Sequence, residues 1–123
     1  MDTFFLDLEE KRVPPQDTRI LDLQAVPSPD GARFQVNIVL TPFLKRPEID
    51  LELENLQGQV CASTTIIEPV SSKIELILHL RSQTEPEKGL LPGSVSFRLS
   101  AILSYPDLGE VDHRVITVDV SPH

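Results

Sequence analysis

Residues 89 to 105 read Gly-Leu-Leu-Pro-Gly-Ser-Val-Ser-Phe-Arg-Leu-Ser-Ala-Ile-Leu-Ser-Tyr. From Val95 onward Val95, Phe97, Leu99, Ala101 and Leu103 alternate with Ser96, Arg98, Ser100 and Ser104, the period of two that marks a strand with one buried face. Pro92 and Gly93 precede it, supplying a fixed φ and then a permissive residue where a chain crosses between sheets. The reading is a long central strand.

The same alternation recurs on both sides. Leu21, Leu23 and Ala25 oppose Asp22 and Gln24, and Phe34, Val36, Ile38 and Leu40 oppose Gln35, Asn37 and Val39. Ile49, Leu51 and Leu53 alternate with Asp50, Glu52 and Glu54, so a third strand carries an acidic outer face. The segment Gln59 to Ile67 is rich in Thr and Ile with neither face decisive, which suggests an edge strand. Ile74, Leu76, Leu78 and Leu80 face inward against Glu75, Ile77 and His79, and a last strand over about Val111 to Val120 sets Ile116, Val118 and Val120 against Thr117 and Asp119. Seven strands, spaced roughly 10 to 15 residues apart and bounded by Pro, Gly, Asp and Ser, imply an all-β, antiparallel sandwich of two sheets. The eleven prolines fall at or outside the strand ends, where no ladder hydrogen bond is lost.

Leu90, Pro92 and Gly93 resemble the Leu-x-Pro-Gly that precedes the sixth strand of fibronectin type III and related immunoglobulin-like domains, in which an aromatic follows the Gly by three positions. Here Ser96 holds that position and Phe97 lies one further on, so the tyrosine corner of those domains is absent or altered. The core Trp and the intersheet Cys pair are missing as well. The resemblance implies a seven-stranded immunoglobulin-like β-sandwich without assigning a particular family, and such a fold does not carry a function with it.

Ahead of this domain lies an N-terminal arm, residues 1 to 16, containing Phe4 and Phe5 as a short helix or an extra strand and ending in a stiff extended joint at Pro14 and Pro15. The sandwich proper is expected over residues 17 to 123. A chain of 123 residues is one domain by size, and it can bury about two-thirds of its unfolded surface. With five Phe, one Tyr and no Trp, the core must come from Leu, Ile and Val.

Nineteen acidic against eleven basic residues give a net charge of −8, which argues against nucleic-acid and anionic-membrane partners. Cys61 stands alone, so neither an intramolecular disulfide nor a Cys/His zinc site is expected. Asp2, Asp7, Glu9 and Glu10 interrupt the N-terminus, which lacks a signal-peptide pattern, and no apolar run reaches membrane-spanning length. A cytoplasmic protein is the expectation.

No catalytic motif is present. His79 and His113 lack a nucleophile-elbow context, and imagining Ser82 or Ser104 with Glu75 beside them rests on no spacing rule. Cys61, between Val60 and Ala62, reads as a structural thiol. Asp107, Glu110 and Asp112 crowd one loop but match no calcium motif and read as a solvated turn. The run Glu48, Asp50, Glu52 and Glu54 reads as a solvated sheet face that could dock a basic partner. Val39, Ile77 and Ile102 point outward and, with Phe4 and Phe5, form a candidate interface for a homodimer or for the N-terminal arm. These features favour a non-catalytic, cofactor-free module for protein–protein interaction or assembly. A carbohydrate-binding or other ligand-binding module is the alternative, although Tyr105 would have to serve as the stacking platform.

Overall fold

Seven strands carry the alternation into three dimensions in the computed structural model, which describes residues 11–29, 32–80 and 95–120. They are β1 (Ile20–Pro27), β2 (Arg33–Leu40), β3 (Glu48–Asn55), β4 (Val60–Ile67), β5 (Lys73–His79), β6 (Val95–Tyr105) and β7 (Gly109–Val120). The arm with Phe4 and Phe5, and the Leu90, Pro92 and Gly93 signature, lie outside the described residues.

Two antiparallel sheets result, a three-stranded one in the order β1-β2-β5 and a four-stranded one in the order β4-β3-β6-β7. Their inner faces are the apolar parities of the sequence. Phe34, Val36, Ile38 and Leu40 of β2 meet Ile49, Leu51 and Leu53 of β3 and Leu99, Ala101 and Leu103 of β6, and all are buried. The Phe34 and Phe97 rings pack edge to face with centroids 5.4 Å apart, a favourable geometry for the ring quadrupoles. β4 lies at a sheet edge, as its ambiguous pattern suggests.

Strict alternation fails at the bulges. In the β1–β2 ladder Ile20 pairs with Leu40 and Asp22 with Val39, leaving Leu21 as an extra residue. One extra residue inverts the facing of what precedes it, so Ile20 and Leu23 are both buried while Leu21, expected inside, is 53% exposed. Similar register shifts leave Cys61 over in β4 and Val111 in β7.

At Pro14–Pro15, where an extended joint is expected, the chain turns instead. Pro15–Asp17 forms a single 3-10 turn with Pro15 in its first turn, where its missing N–H costs nothing. Just upstream, Val13 is already part of the sandwich: its N–H donates to the Pro42 carbonyl and its own carbonyl accepts from Leu44 N–H. Among the described residues no helix is long and apolar enough to cross a membrane.

Candidate functional site

Three regions carry polar chemistry: the sandwich end around Tyr105, the side where β1 meets β7, and the outer face of the four-stranded sheet.

Tyr105 continues the inward parity of β6 and is 1% exposed. Its hydroxyl donates to the Lys45 carbonyl at 2.8 Å and lies 3.1 Å from Thr18 Oγ1, which is in turn 3.1 Å from the Pro14 carbonyl. Two hydroxyl protons serve three contacts, so Thr18 shares its own between Pro14 and Tyr105. This is a tyrosine hydroxyl bonded back to a loop, but from the far end of the strand rather than from the start that the sequence comparison marks. Burial raises the Tyr105 pKa above the ordinary tyrosine value, and the Thr18 hydrogen bond offsets part of that rise. A ring so enclosed cannot stack a sugar. The other aromatics among the described residues, Phe34, Phe43 and Phe97, are also buried. At the same end an open groove is lined by Arg12, Pro42, Phe43, Val70, Ser71 and Ser72.

The loop carboxylates, close in sequence and read as a solvated turn, take separate partners. Asp107 stands 3.8 Å from Lys45 Nζ, and Glu110 lies 3.9 Å from His113 Nδ1. Asp112 turns to the opposite sheet and accepts from Ile20 N–H at 2.8 Å. Arg114 adds a second bridge, donating to the Leu21 carbonyl at 3.3 Å, at the residue the bulge leaves without a partner. Two β7 side chains thus close the sandwich between β1 and β7. Among the described residues no group of three His, Cys, Asp or Glu gathers where a metal ion could be held.

His79 stands exposed at the end of β5 and His113 on β7, in different sheets, and Ser104 is on β6. Ser82 lies outside the described residues. Cys61 is partly buried in the β4 bulge with its thiol 3.6 Å from the Gln59 carbonyl.

The outward apolar residues do not meet. Val39 and Ile77 belong to the outer face of the three-stranded sheet, and Ile102 to the outer face of the other, so the core lies between them. Even on their shared face Val39 pairs with Lys73 and Ile77 with Gln35, and the polar row of Asn37 and Glu75 separates them. Phe4 and Phe5 lie outside the described residues.

On the four-stranded sheet, Glu48, Asp50, Glu52 and Glu54 form a ladder along β3, which runs between β4 and β6. Its register partners include the short Thr65 and Ser63 on β4 and Ser104 and Ser100 on β6, and the larger Ile67 beside Glu48, Ile102 beside Asp50 and Arg98 beside Glu54. Thr65 Oγ1 donates to Asp50 Oδ1 at 2.7 Å, and Arg98 pairs with Glu54 at 3.4 Å. Beyond this ladder the β4 edge exposes Ile67 (68%), and the loop that follows exposes Val70 (80%).

No family model and no curated protein matches this sequence. Among solved structures, the β-glucuronidase from Ruminococcus gnavus in complex with D-glucuronic acid is similar, with a TM-score of 0.57 and 13% identity over 85% of this chain and 16% of that one. The crystal structure of Ruminococcus gnavus β-glucuronidase likewise gives a TM-score of 0.53 at 12% identity, again over 85% of this chain. At such identities the likeness extends to the fold alone, and the chain spans 16% of the length of those proteins.

Proposed function

We propose that this chain is an immunoglobulin-like, non-catalytic β-sandwich module whose role is protein–protein interaction or assembly. The division of strands into β1-β2-β5 and β4-β3-β6-β7 supports the immunoglobulin-like reading. The observation that carries the functional reading is the contrast between the two sides of the sandwich. One is bridged by Asp112 and Arg114. On the other, β4 has a single strand neighbour among the described residues and exposes Val60 and Ile67. Unprotected strand edges of this kind are where chains pair with one another.

A glycan array together with light scattering tests this. The module reading expects no sugar to bind specifically and expects the mass to rise with a protein partner or with concentration. Specific, saturable binding of one glycan would overturn it in favour of a carbohydrate-binding module.

A further inference from the structure

We propose that the outer edge of β4, which pairs with no second strand among the described residues, is the docking strand of this module, and that its partner is an extended peptide segment carrying Lys or Arg at alternate positions. The inference rests on the interaction-module reading above. Among the described residues the sheets present four edge strands, and three of them carry charge: Asp22 on β1; Lys73, Glu75 and His79 on β5; Glu110, Asp112, His113, Arg114 and Asp119 on β7. β4, Val60–Ile67, has no Asp, Glu, Lys, Arg or His in eight residues. Charges on edges normally discourage strand addition, so β4 is the edge left permissive.

Its chemistry continues one strand inward. A strand added to β4 would lie two strand spacings from β3, about 9 to 10 Å. In front of Glu52 and Asp50 stand Ser63 and Thr65, side chains too short to block the way, whereas Ile67 stands in front of Glu48. An extended Lys or Arg on the added strand and an extended Glu on β3 together span that gap. Glu52, opposite Ser63, and Glu48, opposite Ile67, hold no ion pair or side-chain hydrogen bond among the described residues, whereas Asp50 and Glu54 are already engaged. Among the described outward positions of β3, β4 and β6, Arg98 is the single Lys or Arg, and it is committed to Glu54. The ladder therefore lacks cations that an incoming strand can supply, consistent with the net charge of −8. The remaining apolar side chain, Ile67, offers a contact for the aliphatic stem of a Lys or Arg. Pairing two copies of β4 would satisfy the edge but bring no cation to Glu48 or Glu52, which favours the basic segment over a second copy.

The test is calorimetric titration of the full chain with two synthetic eight-residue peptides, one alternating Lys and Thr and one alternating Glu and Thr, with amide shifts followed by NMR. The Lys peptide is expected to bind, shift amides of residues 60–67 and weaken with added salt, and the Glu peptide is expected not to bind. Glu48→Gln, at a half-buried position, with Glu52→Gln, at an exposed one, leaves the β4 edge itself unchanged and should weaken the Lys peptide about tenfold. Equal binding of both peptides, shifts confined to another face, or an unchanged affinity in the double variant would overturn the assignment to β4 while leaving the interaction reading standing. Concentration-dependent protection of residues 60–67 without peptide would give the edge to a second copy and overturn the basic partner. A chain that stays monomeric, ignores both peptides and binds a defined glycan would overturn this proposal and the module reading together.

Discussion

The Tyr105 hydroxyl joins the end of β6 to two segments distant in sequence, the loop carrying Lys45 and the approach to β1 carrying Thr18. Tyr105→Phe keeps the ring volume but removes the donor to the part-buried Lys45 carbonyl and leaves the Thr18 hydroxyl with the Pro14 carbonyl alone, at a cost of about 1 to 3 kcal/mol. A lowered urea midpoint with unchanged m-value would show it. Because burial holds the folded-state pKa of Tyr105 above its unfolded value, the fold favours the neutral phenol. Its contribution is complete below about pH 10 and is lost as the pH climbs through the folded-state pKa. Thermal melts from neutral to strongly alkaline pH should therefore show a decline above about pH 10 that is smaller in Tyr105→Phe. The inward parity of Tyr105 is legible in the alternation from Val95 to Leu103. The hydroxyl's partners are not, since no local pattern links position 105 to 18 or 45, and the sequence reading left the ring available as a sugar platform.

Among the elements, alternation marks every strand but β4, which its Thr and Ile content marks instead, and neither signal shows the bulges. Leu21 looks inward because a period of two assumes one partner per residue, and the extra residue in β1 breaks that count. The bulge has a structural use: it accompanies a site where β7 side chains reach across to the other sheet. Asp112→Ala should cost about 1 kcal/mol by removing the acceptor for Ile20 N–H, and it should speed exchange of that amide, read by NMR. The β3–β4 turn is set by Asn55, whose side-chain oxygen accepts from Gln57 and Gln59 N–H, and by Gly58 at φ +86°. No heavy atom lies within 4 Å of where a Cβ would stand on Gly58. Gly58→Ala therefore carries a backbone penalty alone, about 1 kcal/mol, measurable as a shifted urea midpoint with no change in spectrum.

For the molecule as a whole, the all-β class and the two-sheet sandwich are open to reading because every strand but β4 shows one apolar parity in the sequence, and the parities meet in one core. Phe34, fully buried and packed on Phe97, should cost about 3 to 5 kcal/mol when changed to Ala, a large share of the about 5 to 15 kcal/mol of an ordinary domain, read as a much lowered urea midpoint. Sheet membership was not legible. Val39 and Ile77 share an outer face and Ile102 lies on the opposite one, because strand order is a long-range property that alternation does not encode. The acidic ladder of β3 could be read directly, but its relation to an uncharged edge could not, since that depends on β4 being the neighbour of β3.

Residue-resolved amide hydrogen exchange of the full chain at low concentration tests the open edge most directly. Ile20, bonded to Asp112, and the amides of β3 should be protected, while the β4 amides that face away from β3 should exchange far faster. Uniform protection along residues 60–67 of the dilute chain would mean that this edge is already covered, and would contradict the account.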